Sequence, residues 1–297
     1  MVYENILQTI GDTPLVRLNA SGIRDGIEIF AKIEGANPTG SIKDRAALKM
    51  IEQAEAAGIL TPDKTILEPT SGNTGISLAM IGAVKGYAVE IVMSRAASRE
   101  RVQMIEAFGA SVTLTHAEKG TDGAIAKARE MAAACRETYY MPDQFSNSHN
   151  YGAHYKTTAN EIWKQANGNI DYFVSAVGTS GTLMGVGRAL KENDPRIQII
   201  EAHPVRGHYI QGLKNMEEAV VPAIYDRSLI DHSVMVETNQ AYTAARKIVR
   251  YEGVFAGMSS GAALHAALTA AQHIEKGRIV VIFPDRGEKY LSTNLFA

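Results

Sequence analysis

The chain has 297 residues, 45% apolar, 21% charged and 7% aromatic, an ordinary globular composition that excludes disordered, collagen-like and coiled-coil classes and leaves room for one large or two modest domains. Thirty Lys and Arg against 32 Asp and Glu leave a net charge of −2, and no run of five like charges occurs, so neither nucleic acid nor an anionic membrane is indicated as a partner. The longest mainly apolar stretch, around 76–84, stops at Lys85, well short of the roughly 18 residues of a membrane span.

At the start of the chain, Met1 to Asn5 carries neither the basic region nor the apolar core of a leader, and a single cysteine cannot form an intramolecular disulfide, so a reducing cytoplasm is expected. Short runs rich in Val, Ile and Tyr predict strands at 27–33, 65–68, 89–93, 111–115, 172–177, 198–202 and 278–283. Helical patterns lie between several of them. The first spans 44–57 and stops at Gly58, and the second spans 75–84 and stops at Gly86. A third, at 98–108, stops at Gly109 and sets Val102, Ile105 and Phe108 on one face. Cys135, near the end of a further helical pattern, reads as a small buried or half-buried apolar residue and not as a nucleophile. Apolar strands joined by ten-residue helices need crossover connections, which makes the class α/β with a mostly parallel sheet covered on both faces. No repeat, low-complexity tract or Pro/Ser linker is visible, so boundaries are placed loosely near Asn37 and Asn150.

Three strand-to-helix loops draw the chemistry together, because in open α/β sheets ligands collect where a glycine-rich turn bares amides at the positive end of the next helix. Asn37-Pro38-Thr39-Gly40-Ser41-Ile42-Lys43-Asp44-Arg45 opens a helix, with Ser41 as N-cap, Asp44 in the capping-box position and Lys43 in the first turn. A cation there opposes the macrodipole by roughly 0.3 to 1 kcal/mol, poor for stability but suited to an amine whose pKa must fall, as in Schiff-base lysines. Glu68-Pro69-Thr70-Ser71-Gly72-Asn73-Thr74-Gly75 offers more hydrogen-bonding side chains than a helix cap uses, enough to hold a carboxylate and a ring substituent. Gly178-Thr179-Ser180-Gly181-Thr182 suits a phosphate monoester, although its glycines equally permit a tight turn. Its spacing is neither the Rossmann nor the Walker pattern, which weakens both readings.

Gly257-Met258-Ser259-Ser260-Gly261 matches the G-x-S-x-G elbow of serine hydrolases, but no acidic residue lies between Ser259 and His273, so the triad order is not met. Ser259 reads instead as a buried hydroxyl at a helix start, capping it or bonding a heterocyclic nitrogen. With no H-E-x-x-H and one cysteine, no metal site is expected.

These four glycine-bearing segments, in this order, resemble the signatures of the cysteine synthase (O-acetylserine sulfhydrylase) family, pyridoxal phosphate enzymes of fold type II. Gly11-Asp12-Thr13-Pro14-Leu15, Pro142-Asp143-Gln144-Phe145 and Lys289-Tyr290-Leu291-Ser292-Thr293 extend the likeness over almost the whole chain. The resemblance implies two open, mostly parallel twisted sheets flanked by helices. It also implies a small mobile domain, 37–150, with the substrate carboxylate loop, and a large domain, 1–36 and 151–297, with the phosphate loop. It implies that Lys43 holds pyridoxal 5'-phosphate as an internal aldimine, and that Gly178, Thr179, Ser180, Gly181 and Thr182 grip the phosphate. Asn73 then meets the ring hydroxyl and Ser259 the ring nitrogen, a neutral partner that keeps the electron sink moderate. Thr70, Ser71, Gly72, Thr74 and Gln144 bind the substrate carboxylate. The implied reaction is β-replacement, making L-cysteine from O-acetyl-L-serine and sulfide through an aminoacrylate, in a homodimer.

Phe283-Pro284-Asp285-Arg286-Gly287-Glu288 is similar to the B-type ending, yet Gly212-Leu213-Lys214-Asn215-Met216 lacks the Arg-Arg-Trp of thiosulfate-using enzymes. Sulfur donor and activated serine therefore stay open, with Arg206 or Lys214 as candidate contacts for an anionic donor or phosphoserine. The Ala153-His154-Tyr155-Lys156-Thr157-Thr158 stretch is similar to cystathionine β-synthase, whose activity is the other alternative. Serine acetyltransferase as a docking partner is likewise left open.

Overall fold

The structure, a computed structural model, describes residues 2–19 and 23–297; Met1, first of the residues read for a leader, lies outside them. Among the described residues ten strands occur in chain order as β1 (Leu15–Arg17), β2 (Ile27–Ile33), β3 (Thr65–Pro69), β4 (Val89–Ser94), β5 (Ser111–Thr115), β6 (Tyr139–Tyr140), β7 (Tyr172–Ala176), β8 (Gln198–Pro204), β9 (His232–Val236) and β10 (Gly277–Phe283). The α-helices are α1 (Lys43–Ala56), α2 (Asn73–Lys85), α3 (Arg99–Ala107), α4 (Gly120–Ala134), α5 (Ser148–Lys156), α6 (Thr158–Gln165), α7 (Gly181–Asn193), α8 (Thr238–Lys247) and α9 (Met258–Ala271). No helix among the described residues is long and apolar enough to cross a membrane.

The strands form two sheets. One has the order β1-β2-β10-β7-β8-β9, parallel except for the antiparallel β1–β2 pair, and the other is all parallel in the order β5-β4-β3-β6. The period of two along a buried strand explains why the runs are apolar throughout. Ile279 and Val281 of β10 pack with α8 and α9 residues such as Ala245 and Ala262, whereas Val280 and Ile282 pack with Ile162 of α6 and Leu183 of α7. In the smaller sheet Ile66, Ile91 and Met93 face α1 to α3, and Leu67 and Val92 face Ala124 and Ala128 of α4.

All seven strands expected from the sequence are present. Three others were not signalled, for physical reasons: β1 and β6 are two or three residues long, and β9 is an exposed edge whose burial does not alternate. Phe108 is a correction: it is 38% exposed, whereas Ile105 is buried and Val102 partly buried as expected, with Arg101 buried beside them. Cys135 is another, standing exposed just beyond the end of α4. Ser41 does not cap α1 in the expected box, because Asp44 turns to Thr39 and Ser77; Ser41 Oγ only accepts weakly from the Lys43 amide at 3.3 Å.

Candidate active site

The carboxyl ends of β3, β7 and β10 converge on one cavity, as parallel sheets dictate. Lys43, Thr70, Ser71, Asn73, Thr74, Gln144, Gly178, Thr179, Thr182 and Ser259 all line it. Gly72, Ser180 and Gly181 stand behind this wall. Gly72 abuts Arg101, and a Cβ on Gly181 would overlap the Asn150 amide, so both are glycine because another side chain occupies their space.

Lys43 opens α1 at the cavity floor. The loop before it is pinned to the end of β10: Ile42 N–H donates to Pro284 O at 2.8 Å, and Arg286 N–H to Gly40 O at 3.2 Å. The buried Lys289 ammonium adds a 3.0 Å bond to Gly40 O. Burial lowers the Lys43 amine from its ordinary 10.5 to about 8, against the opposing pull of the Asp285 carboxylate. Desolvation thus joins the macrodipole suggested by the sequence as a cause of the lowered value.

Two of the uncapped helices that begin at the cavity start from an unusual backbone conformation. The residue before α2 is Gly72 at φ +141°, and the one before α7 is Ser180 at φ +68°, a left-handed conformation uncommon for a non-glycine residue. Their first-turn amides have no partners within the helix and so remain available to an anion. Asn150 steadies the second loop by donating to Thr179 Oγ1 at 3.1 Å. His154 lies 3.0 Å from Thr158 Oγ1 and 3.4 Å from Thr182 Oγ1; burial, then the Lys43 and Arg45 charges, hold its pKa well below the ordinary value, so it bridges them as a neutral ring.

The 70–74 loop is organised from beneath. Thr70 Oγ1 accepts from Gly72 N–H at 3.0 Å, and Thr74 donates to Gln144 Oε1 at 2.7 Å, while the Gln144 amide donates to Pro69 O at 3.2 Å. Glu68 accepts from the Asp143 and Gln144 amides at 2.9 and 3.1 Å, and its burial raises its pKa to about 8. Gln144 thus braces Thr74 while lining the cavity itself.

Whether a pyridoxal phosphate would fit can be tested on the polar atoms left without partners. Asn73 donates from Nδ2 to Asp285 Oδ2 at 2.7 Å, but its Oδ1 is buried and unpartnered. Ser180 Oγ is likewise unpartnered, as is Nε2 of the cavity-lining Gln211. A ring hydroxyl at Asn73 and a phosphate over the α7 amides satisfy such groups, and Ser259, 6% exposed at the start of α9, supplies a neutral hydroxyl to the same cavity. The residues present fit the group. Among the described residues no histidine or carboxylate bonds Ser259, and His273 is exposed, so the hydrolase reading has no triad to stand on.

Of the two basic residues named for an anionic donor, Lys214 lines the cavity, bound to Asp122 at 2.8 Å and 4.9 Å from the Phe145 ring centre. Arg206 does not; it is exposed and pairs with Glu218. Arg101, Tyr209 and Gln211 also line the cavity and carry no sequence motif that would have marked them; Tyr290, from the 289–293 stretch, lines it too.

Comparison with known proteins agrees with this geometry. The family described as "Pyridoxal-phosphate dependent enzyme" matches residues 6–285. The chain is 45% identical to a "Cysteine synthase" of Aquifex aeolicus, covering 99% of this chain and 92% of that one. It is 43% identical to the "Cysteine synthase B" of Salmonella typhimurium, covering 97% and 95%. Among solved structures, O-acetyl serine sulfhydrylase isoform 3 from Entamoeba histolytica superposes with a TM-score of 0.92 at 42% identity, covering 100% of this chain and 92% of that chain.

Proposed function

The chain belongs to the cysteine synthase family of pyridoxal-phosphate dependent enzymes, and on that premise we propose that it makes L-cysteine and acetate from O-acetyl-L-serine and sulfide by β-replacement. One observation carries the reading: an amine brought near neutrality by burial faces the same cavity as the unpartnered Asn73 oxygen and the uncapped start of α7.

When bound there, pyridoxal 5'-phosphate withdraws electrons from an attached amino acid, loosening its α-proton and its β-substituent. Lys43 Nζ is the group that anchors the cofactor and then takes that proton. The α7 amides, with Thr179 and Thr182, would hold the phosphate, and Ser259 would offer the ring nitrogen a neutral hydroxyl that fixes no proton on it. Thr70, Ser71 and the α2 amides take the substrate carboxylate, with Gln144 holding Thr74 in place. Closure of 37–150 on 1–36 and 151–297 would then exclude water from the reacting Cβ. The acetyl ester is favoured over the phosphoester because Lys214 is already neutralised by Asp122 and Arg206 lies outside the cavity. A cytoplasmic homodimer belongs to the same reading; sedimentation at the mass of one chain would remove the dimer from it.

Loaded protein given O-acetyl-L-serine and sulfide should release cysteine faster than with O-phosphoserine and sulfide, and faster than it makes cystathionine from serine plus homocysteine. Absence of cysteine formation from the acetyl ester would overturn the proposal. Two further outcomes are expected. Cofactor uptake by the apo-protein should quicken as pH rises toward about 8 and level off beyond it, because only the neutral Lys43 amine attacks an aldehyde; a rate that falls over that range contradicts the assignment. Gly178→Ala should weaken cofactor binding by about 10-fold or more, because a Cβ there overlaps the Gly212 carbonyl oxygen and the 178–182 loop must shift, at a cost of roughly 1–3 kcal/mol. An absorbance titration of the folded variant measures it, at a temperature well below its lowered melting point.

A further inference from the structure

Arg101, on α3, lines the cavity yet is 1% exposed, and the reaction as derived above makes no use of it. Its guanidinium lies over the Tyr290 ring, 4.6 Å from the ring centre, and only Nη2 approaches an acceptor, Asp285 Oδ2, at 3.4 Å. That is long for a charge-assisted bond. Nε and Nη1 have no partner, and neither has Asp285 Oδ1. A buried cation with two open donors beside a buried carboxylate with one open acceptor is a bidentate pair only partly made, a costly arrangement to leave so. These atoms lie beyond the reach of solvent, so movement of the protein, and not arrival of a small ligand, must complete the bond.

Both ends of the pair touch the substrate and cofactor walls. On one side Gly72 presses so closely on Arg101 that any Cβ would overlap its Cδ and Nε. On the other, the same Asp285 Oδ2 accepts from Asn73 Nδ2 at 2.7 Å and from the Tyr290 hydroxyl at 2.7 Å. Gly72 and Asn73 are neighbours in the chain, so the four residues close a ring running from the carboxylate loop through a guanidinium and a carboxylate to the cofactor-facing amide. The start of α3 is tied to the C-terminal segment beside this ring: Ser98 Oγ donates to Lys289 O at 2.7 Å, and Glu100 accepts from Ser292 N–H and Oγ at 2.6 Å each.

We propose that Arg101 and Asp285 are a positioning pair that couples capture of the substrate carboxylate by the 70–74 loop to the setting of Asn73. As Gly72 draws in over the carboxylate it carries Arg101 onto Asp285, the second hydrogen bond forms, and Asn73 is held where it meets the cofactor. The proposal rests on the reading of this cavity as a cofactor and amino-acid site.

The test uses the loaded protein and L-alanine, which has the α-carboxylate but no leaving group, titrated by the visible absorbance of the bound cofactor. Arg101→Met removes the charge, and Arg101→Lys keeps it but lacks the two-pronged donor. Both should raise the L-alanine Kd and the O-acetylserine KM by about 10-fold or more, within the roughly 5- to 150-fold span of site-to-site couplings, with cofactor Kd within about 3-fold of wild type. In a cycle with Asp285→Asn, the double variant should be scarcely weaker than the worse single one. L-alanine affinity within about 2-fold of wild type in the Lys variant, or additive losses in the cycle, would overturn the pair. Wild-type protein that takes up no cofactor would instead overturn the functional reading beneath it.

Discussion

Lys43→Ala should lose turnover and the visible absorbance of the loaded protein together. Three lysines stand near the cavity, and their surroundings separate them. Lys289 is buried and donates to Gly40 O, and Lys214 is bound to Asp122, whereas Lys43 lines the cavity with an amine brought to about 8 by burial. Lys289 is also lowered to about 8 by burial, but it stands outside the cavity wall, so its amine has nothing there to attack. Removing the one amine that both anchors the cofactor and carries the α-proton should cost at least about 10³-fold in kcat, since a positioned proton-transfer group alone contributes roughly 10²- to 10⁴-fold. Arg or Gln at 43 should not rescue it, whereas external methylamine should restore a small part of the proton transfer. Borohydride treatment of loaded wild-type protein followed by peptide mapping should place the label on Lys43; label on Lys214 or Lys289, or a coloured and active Ala variant, would contradict the assignment.

Arg45→Met should produce the largest loss of stability. Its guanidinium forks onto Glu34 at 2.7 and 2.9 Å and onto Glu161 at 2.6 and 2.7 Å, and Lys32 Nζ joins Glu161 at 2.7 Å. Glu34 and Lys32 are both fully buried. Removing one member of such a network strands another charge in a low-dielectric interior, which costs about 3–5 kcal/mol. Arg45→Lys should recover only part, because a point charge cannot serve both carboxylates, and adding Glu34→Gln to Arg45→Met should recover more than the Lys does. Denaturant midpoints measure all three, and a loss below about 1 kcal/mol in the Met variant would mean the network is not integral to the fold. The same network has a pH signature. Burial pushes the Glu161 carboxyl up, but Arg45 and Lys32 outweigh that and hold it at about 2, below its ordinary 4.5. The unfolded chain therefore takes up this proton first as pH falls, so the contribution is complete above about 4.5 and is lost on the way down to about 2. That acid limb should flatten in Arg45→Met.

Because Arg45 lies two residues beyond Lys43 on α1, the network also joins the helix bearing the amine to β2 and α6. Nothing in Lys43-Asp44-Arg45 announces this. Arg and Glu are ordinarily surface residues, and their partners at 34 and 161 are separated by more than a hundred positions.

The sequence by itself determined the features that depend on local chemistry. Buried parallel strands show as uninterrupted Val and Ile runs, so seven strands and the α/β class were readable. Glycines at a required left-handed turn or close approach cannot be replaced, so the loops at 37–45, 70–75 and 178–182 carried their own marks. Tertiary structure alone decided what depends on long-range placement. It buried Lys43 enough to bring its amine near neutrality, committed Gln144 to Thr74, left Arg206 outside while admitting Lys214, and set Arg101 against Asp285. It also turned Asp44 away from the helix start toward Thr39 and Ser77, and left Cys135 and Phe108 exposed. Burial, dielectric and pairing across distant segments are properties of the packed chain, and no window of neighbouring residues contains them.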